Sequence, residues 1–571
     1  MQRQEFDLTI QKLRLAAGAA AWILKFLGEE MQRGTLKSNL RSLTKGYFAE
    51  DMSWAELLEE RARQVPDKRF LLYRDEVYTY RQMNENANRA ANFLAGLGGG
   101  RGKGIGLFMR NSPRFLDLFC GAQKIGMYIV PMNPALVGPG LSYIINHSDI
   151  EFLAVDAELL DAVTRVSADT PNLRKVIVDD IEQEAAGIAV PGGMVPLSGA
   201  YGPGSSAQAP GIGYDKDDMC LIMYTSGTTG PAKGVVYRYR NTGVKKLCAV
   251  AGVTLRGDDV YYTPLALIHG NALFLTVTLA MGVRATVALS RKFSASRFWD
   301  EVRQYGATVF NTLGSMIPIL MKQPERPDDR DNRVRFVLSA ACPADMWEAF
   351  EKRFGVRIYE GYGAVDGGGK GIINFGTAPV GSIGKPTAAL GKFRLVDENG
   401  RDVETGTPGE LIFEARDGGS RVEYYKNEKA SSEKIRDGWL YTGDLMRMDE
   451  KGYLYFVGRN TESMRKGGEN VSAYEVEHVI MKHPAVEDVA VYAVPSDLAE
   501  DEIMASVKLV EGKTIKPEEL IAFLEDKLAR FALPRYIRFV KEFPMTSTHR
   551  IIKKELQKIG VTPDTFDSRR A

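Results

Sequence analysis

The sequence predicts an α/β protein of several subdomains, a large N-terminal body followed by a small α+β domain at the C-terminal end. Three observations carry this. Short β-rich runs alternate with helical stretches, the pattern of sheets covered by helices. At 571 residues the chain exceeds what one hydrophobic core holds. Near Gly458 the sequence turns to a charged, compact segment of small-domain size. The expected divisions are an extension over 1–47, a large domain over 48–457 and a small domain over 458–571.

In chain order, Leu15–Leu24 is apolar but bracketed by Arg14 and Lys25. It falls short of the roughly 20 apolar residues that a spanning helix needs, and no convincing signal-peptide cleavage site follows it. Arg33, Lys37, Arg41 and Lys45 are then interleaved with Leu36, Leu40 and Leu43. That mixture suits either an amphipathic helix on a membrane surface or a helix packed on the protein's own body. Helical periodicity runs from Trp54 to Ala62. Gly104–Met109, Phe115–Ile125, Tyr128–Pro131 and Leu141–Ile145 carry the strand–helix alternation. Residues 185–212 are rich in Gly, Pro, Ala and Ser and read as a long surface loop. Met219–Tyr224 reads as a buried strand, and Gly438–Leu445 and Gly452–Phe456 as short strands with turns. No internal repeat or low-complexity block interrupts the chain.

Composition is near the globular average, with 44% apolar and 26% charged residues and a formal net charge of +1. A fibrous or disordered protein is excluded, and no global field draws the chain to nucleic acid. Cys120, Cys220, Cys248 and Cys342 are scattered without metal or redox spacing and are expected to be reduced core residues of a cytoplasmic protein. His147, His269, His478, His483 and His549 form no metal-ligand cluster in sequence.

The strongest chemical signal is Tyr224-Thr-Ser-Gly-Thr-Thr-Gly-Pro-Ala-Lys-Gly234. Its glycines let backbone N–H groups turn toward an anion. Thr225, Ser226, Thr228 and Thr229 add hydroxyls, Gly227 and Gly230 open the loop, and Lys233 adds positive charge. Such a loop suits a polyphosphate, although the Gly-Lys-Ser/Thr ending of a Walker A loop is absent.

This segment resembles the signature loop of the acyl-adenylate-forming superfamily, which includes acyl-CoA synthetases, luciferases and peptide-synthetase adenylation domains. Family-like segments follow in order: Tyr262–Phe274, Ser339–Pro343, Tyr359–Gly367, Tyr441–Leu445, Gly458–Glu477 and Pro544–Leu556. The resemblance spans about Trp54 to Leu556. Lys466–Ser472 and Asn111–Gly126 narrow it to the fatty-acid-transport and very-long-chain acyl-CoA synthetase branch. It implies a large domain of two α/β layers and a distorted β-barrel, with a small mobile C-terminal domain.

The implied reaction is an ATP-dependent carboxylic acid–CoA ligation through an acyl-adenylate, with a medium- to long-chain fatty acid as substrate. The implied ligands are ATP, Mg2+ and coenzyme A, with no nucleic acid and with peripheral membrane contact through the N-terminus as one option. The resemblance assigns polyphosphate contacts to Thr225–Gly230 and Lys233, and magnesium to Asp366. Nucleotide contacts fall on Ala340, Tyr362 (stacking on adenine) and Gly363, and the ribose hydroxyls on Asp444 and Arg459. The acyl group falls to His269 and Gly314, and the pantetheine arm to Gly467 and Gly468. Read alone, Asp444 suits a turn residue better and Tyr362 suits core packing better, and a core histidine is the alternative for His269. Phe310–Leu320 either lines the acyl pocket or forms a buried helix.

Three positions depart from the family pattern. The usual Thr-Glu pair is Val365-Asp366, which keeps the charge one methylene shorter and loses a hydroxyl. The usual Gly-Lys is His549-Arg550. Arg550 keeps the positive charge of the adenylation lysine in a bulkier, bidentate form, with Lys553 or Lys554 as alternative donors of it. The hinge position is Thr461. These changes leave room for three other expectations: a ligase for a smaller or branched acid, an enzyme loading a carrier protein, and a degenerate member that binds without turnover.

Overall fold

The computed structural model describes residues 51–569 except 212, 226–231, 314–315, 387–390, 416–421, 460–462, 467–468, 496–500, 526, 529–531 and 546–550. The expectation for the apolar and basic stretch before Ala49 therefore lies outside the described residues. No helix among those described is long and apolar enough to cross a membrane. The chain forms two compact units. One comprises Met1–Tyr224, Gly234–Gly391 and Asp417–Glu428; the other comprises Thr225–Lys233, Lys392–Arg416 and Lys429–Ala571.

The first unit holds two sheets. One runs in the order Val195–Pro196, Lys175–Asp179, Ile150–Asp156, Gly104–Phe108, Tyr128–Pro131, Met219–Thr225 and Lys233–Arg238. Its pairs from Val195–Pro196 through Met219–Thr225 are parallel. Helices Pro113–Lys124 and Gly138–His147 are the crossovers that parallel pairing demands. Gly104–Phe108 and Tyr128–Pro131 are buried along their whole length, as expected for strands covered on both faces. A Cβ at Gly104 would lie 2.4 Å from Tyr128 Cζ, so only glycine fits beside that ring.

The second sheet runs Gly371–Asn374, Ile358–Gly363, Phe336–Ala340, Val309–Leu313, Val260–Thr263, Thr286–Leu289, Arg69–Tyr73 and Glu76–Thr79. Its six inner strands are parallel and the two outer strands antiparallel. Helix Trp54–Gln64 opens with a capping box on Ser53 and buries Trp54, Leu57 and Leu58 in the main core. Cys120, Cys220 and Cys342 are buried and Cys248 half-buried, all as free thiols. Burial pushes Cys120 up to about 12 and Cys248 to about 11, so neither is a thiolate at neutral pH.

The second unit contains an antiparallel sheet of Phe393–Val396, Gly409–Glu414, Trp439–Met448 and Ile435–Arg436, with Leu454–Arg459 added on Trp439–Met448. It also holds a hairpin of Ser463–Lys466 with Glu469–Ser472. A four-stranded mixed sheet of Val486–Pro495, Asp501–Leu509, Tyr536–Phe539 and Phe566–Asp567 shares a core with helices Ala473–Ile480 and Pro517–Glu525.

The long loop expected over 185–212 contains a two-residue strand, Val195–Pro196, and a 3-10 turn, Leu197–Ala200. Two residues are too few to leave a periodic signal. Asn88 and Asn92 hold the rest of it, donating to the carbonyls of Ala207, Ser206 and Gln208. Within Phe310–Leu320 both an inner strand, Val309–Leu313, and a short helix, Met316–Met321, are present.

Candidate active site

Parallel strands present their carboxyl ends on one edge, where α/β proteins bind ligands. In the second sheet that edge carries the predicted site residues of the first unit. Val260–Thr263 leads toward His269. Val309–Leu313 ends at Leu313, just before Gly314, and Leu313 is the register partner of Ala340, the last residue of the next strand. Ile358–Gly363 follows, bearing Tyr362 and Gly363, and the chain then turns through Val365 and Asp366. Four motifs far apart in sequence thus share one edge.

The segment before His269 is held from the first sheet. Asn111 is buried; its Nδ2 donates to the carbonyls of Leu265 and Ser290, and its Oδ1 accepts from Leu267 N at 2.8 Å. Ser112, next in sequence, caps helix Pro113–Lys124. One Asn-Ser-Pro sequence therefore starts a helix and fixes the approach to His269. Past His269, Gly270–Ala272 is α-helical, Leu273–Thr278 is a π-turn and Leu279–Val283 is α-helical again. Thr278 Oγ1 donates to the Leu273 carbonyl at 2.9 Å and accepts from Trp54 Nε1 at 2.7 Å, which stabilises the wider turn.

Val365 meets this segment directly, since a Cβ built on Gly270 would stand 3.5 Å from Val365 Cγ2. Two tyrosine hydroxyls hold the Val365-Asp366 pair. Tyr237 donates to the Val365 carbonyl at 3.0 Å, and Tyr424 donates to Asp366 Oδ2 at 2.6 Å. Burial and then the Asp366 charge push the Tyr237 hydroxyl up, so it remains a donor. Both tyrosines come from one β extension. Val235 bridges Tyr424 antiparallel, Val236 N donates to the Glu423 carbonyl, and Tyr425 N donates to the Gly234 carbonyl at 2.8 Å. The strand leaving the Gly/Thr-rich loop therefore also organises the acid.

Of the predicted polyphosphate contacts in that loop, Thr225 and Lys233 are described, and Thr225 Oγ1 donates to the Lys233 carbonyl at 3.3 Å, closing its base. Tyr224, at its entry, shares a 2.6 Å hydrogen bond with His147 Nδ1. A Cβ at Gly234 would lie 2.7 Å from Ile222 Cγ2 and 3.2 Å from Tyr224 Cζ, so the exit strand must pass with no side chain there. Ser226, Gly227, Thr228, Thr229, Gly230, Gly314, Thr461, Gly467, Gly468, His549 and Arg550 lie outside the described residues.

In the second unit, Asp444 is buried on strand Trp439–Met448 and is the cross-strand partner of Arg459. The two residues read as ribose contacts are thus neighbours in one antiparallel ladder. Pairing with Gly409–Glu414 slips between Glu410 and Ile412, which leaves Thr442–Asp444 in a bulge. Glu410 Oε1 accepts from Gly443 N, and Thr442 Oγ1 accepts from Asp444 N. Gly443 has φ +80°, a conformation that favours glycine. Bulges of this kind re-aim a side chain, here the Asp444 carboxylate.

Sequence reasoning passed over four residues that shape these sites: Tyr237, Glu360, Glu410 and Tyr424. Glu360 sits inside the quoted Tyr359–Gly367 segment, but its burial and its contacts with Ala341 and Cys342 are visible only in the fold. The other three carry no local mark of their partners.

A protein-family model for AMP-binding enzymes matches residues 58–417, and the corresponding C-terminal domain model matches residues 475–550. The chain belongs to the AMP-binding enzyme family. Among curated family members it is 36% identical over 474 residues to a steroid-22-oyl-CoA synthetase of Rhodococcus jostii (strain RHA1), covering 80% of this chain and 82% of that one. It is 32% identical over 489 residues to a crotonobetaine/carnitine–CoA ligase of Escherichia coli O9:H4 (strain HS), covering 84% and 93%. Among solved structures of the family, an anthranilate CoA ligase in complex with anthranoyl-AMP superposes with a TM-score of 0.78 at 25% identity, covering 90% of this chain and 98% of that one. A Mycobacterium tuberculosis fatty acyl CoA synthetase does so with a TM-score of 0.65 at 25% identity, covering 89% and 98%.

Proposed function

We propose that this AMP-binding enzyme is an ATP-dependent acid–CoA ligase, forming an acyl-adenylate with release of pyrophosphate and then an acyl-CoA thioester. The observation that carries the reading is the Asp366 carboxylate, held by Tyr424 at the strand edge that also bears Ala340, Tyr362 and His269.

In the first half-reaction a substrate carboxylate attacks the α-phosphate, and two anions must be brought together in line. Thr225–Gly230 and Lys233 receive the polyphosphate, Tyr362 stacks on adenine beside Ala340 and Gly363, and Asp444 with Arg459 takes the ribose. Arg550 neutralises charge between carboxylate and phosphate in place of the family lysine. Asp366 suits Mg2+ because a carboxylate oxygen matches a hard cation. A single carboxylate plus substrate phosphates is the usual magnesium arrangement. When bound, the ion supplies charge neutralisation at the phosphates. In the second half-reaction Gly467 and Gly468 let the pantetheine arm approach, and the thiol displaces AMP.

For the acid we favour an apolar one, a medium- to long-chain fatty acid. Lys466–Ser472 and Asn111–Gly126 support this through their likeness to the very-long-chain branch. A bulkier ring-bearing acid is the second reading, favoured by the 36% identity to a steroid-22-oyl-CoA synthetase. The test is pyrophosphate release with ATP, Mg2+ and a panel of fatty, ring-bearing and short polar acids, with and without CoA. Acid-dependent release coupled to acyl-CoA formation is expected. No release with any acid despite measurable ATP binding would make the protein a non-catalytic nucleotide binder, and activity confined to short polar acids would remove the fatty-acid assignment.

A further inference from the structure

Glu360 is 3% exposed on the inner strand Ile358–Gly363, and among the described residues no cation pairs with it. Its carboxylate accepts two backbone donors from one loop, Ala341 N and Cys342 N, the latter at 3.1 Å. Ala341 has φ +67°, a left-handed conformation that a residue with a Cβ adopts only when its surroundings hold it there. The loop so held follows Ala340 and lies one strand from Tyr362. The carboxyl lies in a buried polar row that crosses four strands in register: Thr312 with Ser339, Ser339 with Glu360, and Glu360 with Asn374. Asn374 does the same work on the next loop, its Oδ1 accepting from Gly376 N at 2.9 Å and Ala378 N at 3.1 Å. Glu360 ties down a loop at the carboxyl edge of the sheet, whereas Asn374, on an antiparallel strand, ties down one toward the opposite edge.

The acid is held in this row against its solvation. Burial pushes it up to about 7, opposed by the N–H groups of Cys342 and Ala341. The Ser339 hydroxyl nearby acts in the same direction, although its geometry falls short of a hydrogen bond. A neutral side chain would avoid that desolvation but could not accept both N–H groups on two carboxylate oxygens.

We infer that Glu360 is the positioning residue of the nucleotide site, its carboxylate clamping Ala341 and Cys342 so that the Ala340–Cys342 loop presents a preformed edge to adenine. The inference rests on the nucleotide reading of that edge given under the proposed function. It assigns Glu360 to adenosine recognition and to no chemical step.

The test uses the full chain and adenosine, which carries neither phosphate nor a group titrating between pH 6 and 8. Adenosine affinity and the KM values for ATP and CoA are measured in the wild type, Glu360→Ala and Glu360→Gln. Glu360→Ala is expected to weaken adenosine binding and raise KM for ATP at least about tenfold, the scale of one lost charge-assisted contact. KM for CoA should stay within about twofold, and Glu360→Gln, which keeps one acceptor, should recover most of the loss. Unchanged adenosine affinity in Glu360→Ala, or an equal loss for CoA, would overturn the inference. A wild type that binds neither adenosine nor ATP would overturn the nucleotide reading itself.

If Glu360→Ala does not fold, Glu360→Gln decides by pH. Among the described residues, the titratable groups beside the clamp include Cys342 on the loop, with Asp345 and Glu351 of helix Ala344–Phe354 acting on Cys342; burial keeps the Cys342 thiol protonated. Wild-type adenosine affinity should then vary between pH 6 and 8 while that of Glu360→Gln stays flat. Identical profiles would overturn the inference.

Discussion

The Tyr424 hydroxyl donates to Oδ2 of Asp366 at 2.6 Å across 58 residues of sequence. The tyrosine lies on the short extension paired with the strand that leaves the Gly/Thr-rich loop, so the acid and that strand are positioned together. Asp366 is one methylene shorter than the glutamate of the family pattern, and a donor on one of its oxygens restricts how the other can point.

Tyr424→Phe removes that donor and leaves the ring. A hydrogen bond to a charged acceptor contributes about 1.5–3 kcal/mol, so the Mg2+ concentration for half-maximal pyrophosphate release should rise about tenfold or more. Thermal unfolding should move little. An unchanged Mg2+ dependence would separate Asp366 from the metal.

Gly234→Ala places a methyl 2.7 Å from Ile222 Cγ2. The strand must shift at the base of the loop, a strain of about 1–3 kcal/mol. Denaturant unfolding should show that loss, together with a raised KM for ATP. Wild-type values of both would mean that the loop base tolerates a side chain.

Glu360 makes stability depend on pH with a definite sign. Its folded-state value of about 7 lies above the ordinary 4.5, so folding disfavours the ionised form. Stability attributable to this group falls as pH rises from about 4.5 to 7 and levels off above. At about 1.4 kcal/mol per pH unit the difference amounts to about 3 kcal/mol. Glu360→Gln lacks this dependence, so its unfolding free energy relative to wild type should improve by about that much between pH 4.5 and pH 8. A constant difference across the range would mean that Glu360 is not held up by burial.

Arg550→Ala separates the half-reactions. Acid-dependent pyrophosphate release should fall by about a hundredfold or more, the scale of one preorganised charge at a transition state. Thioester formation from supplied acyl-adenylate should change little. Equal losses in both would remove Arg550 from adenylation and turn attention to Lys553 or Lys554.

Much of the candidate site was legible in the sequence because its residues lie in compact local patterns. Thr225–Lys233, Tyr362, Asp366 and Asp444 all fall within motifs of a few residues, and Gly/Thr-rich or Asp-bearing loops declare their chemistry locally. The alternation around Gly104–Phe108 and Tyr128–Pro131 likewise marked strands of a covered sheet. Less legible were the residues whose meaning lies in a distant partner. Glu360 acts on a loop 19 residues back, and Glu410 on a bulge 33 residues on. The π-turn over Leu273–Thr278 depends on Trp54, whose indole lies 224 residues from Thr278.

By itself the sequence determined the α/β class and the order of the motifs, since hydrophobic period and loop composition are local properties. Tertiary structure alone decided which acids became clamps, which tyrosines reached Val365 and Asp366, and why Gly104 and Gly234 admit no side chain. The physical reason is register. A hydrogen bond between remote residues exists only once whole strands have paired and buried their faces, and that pairing is set by the packing of the entire sheet.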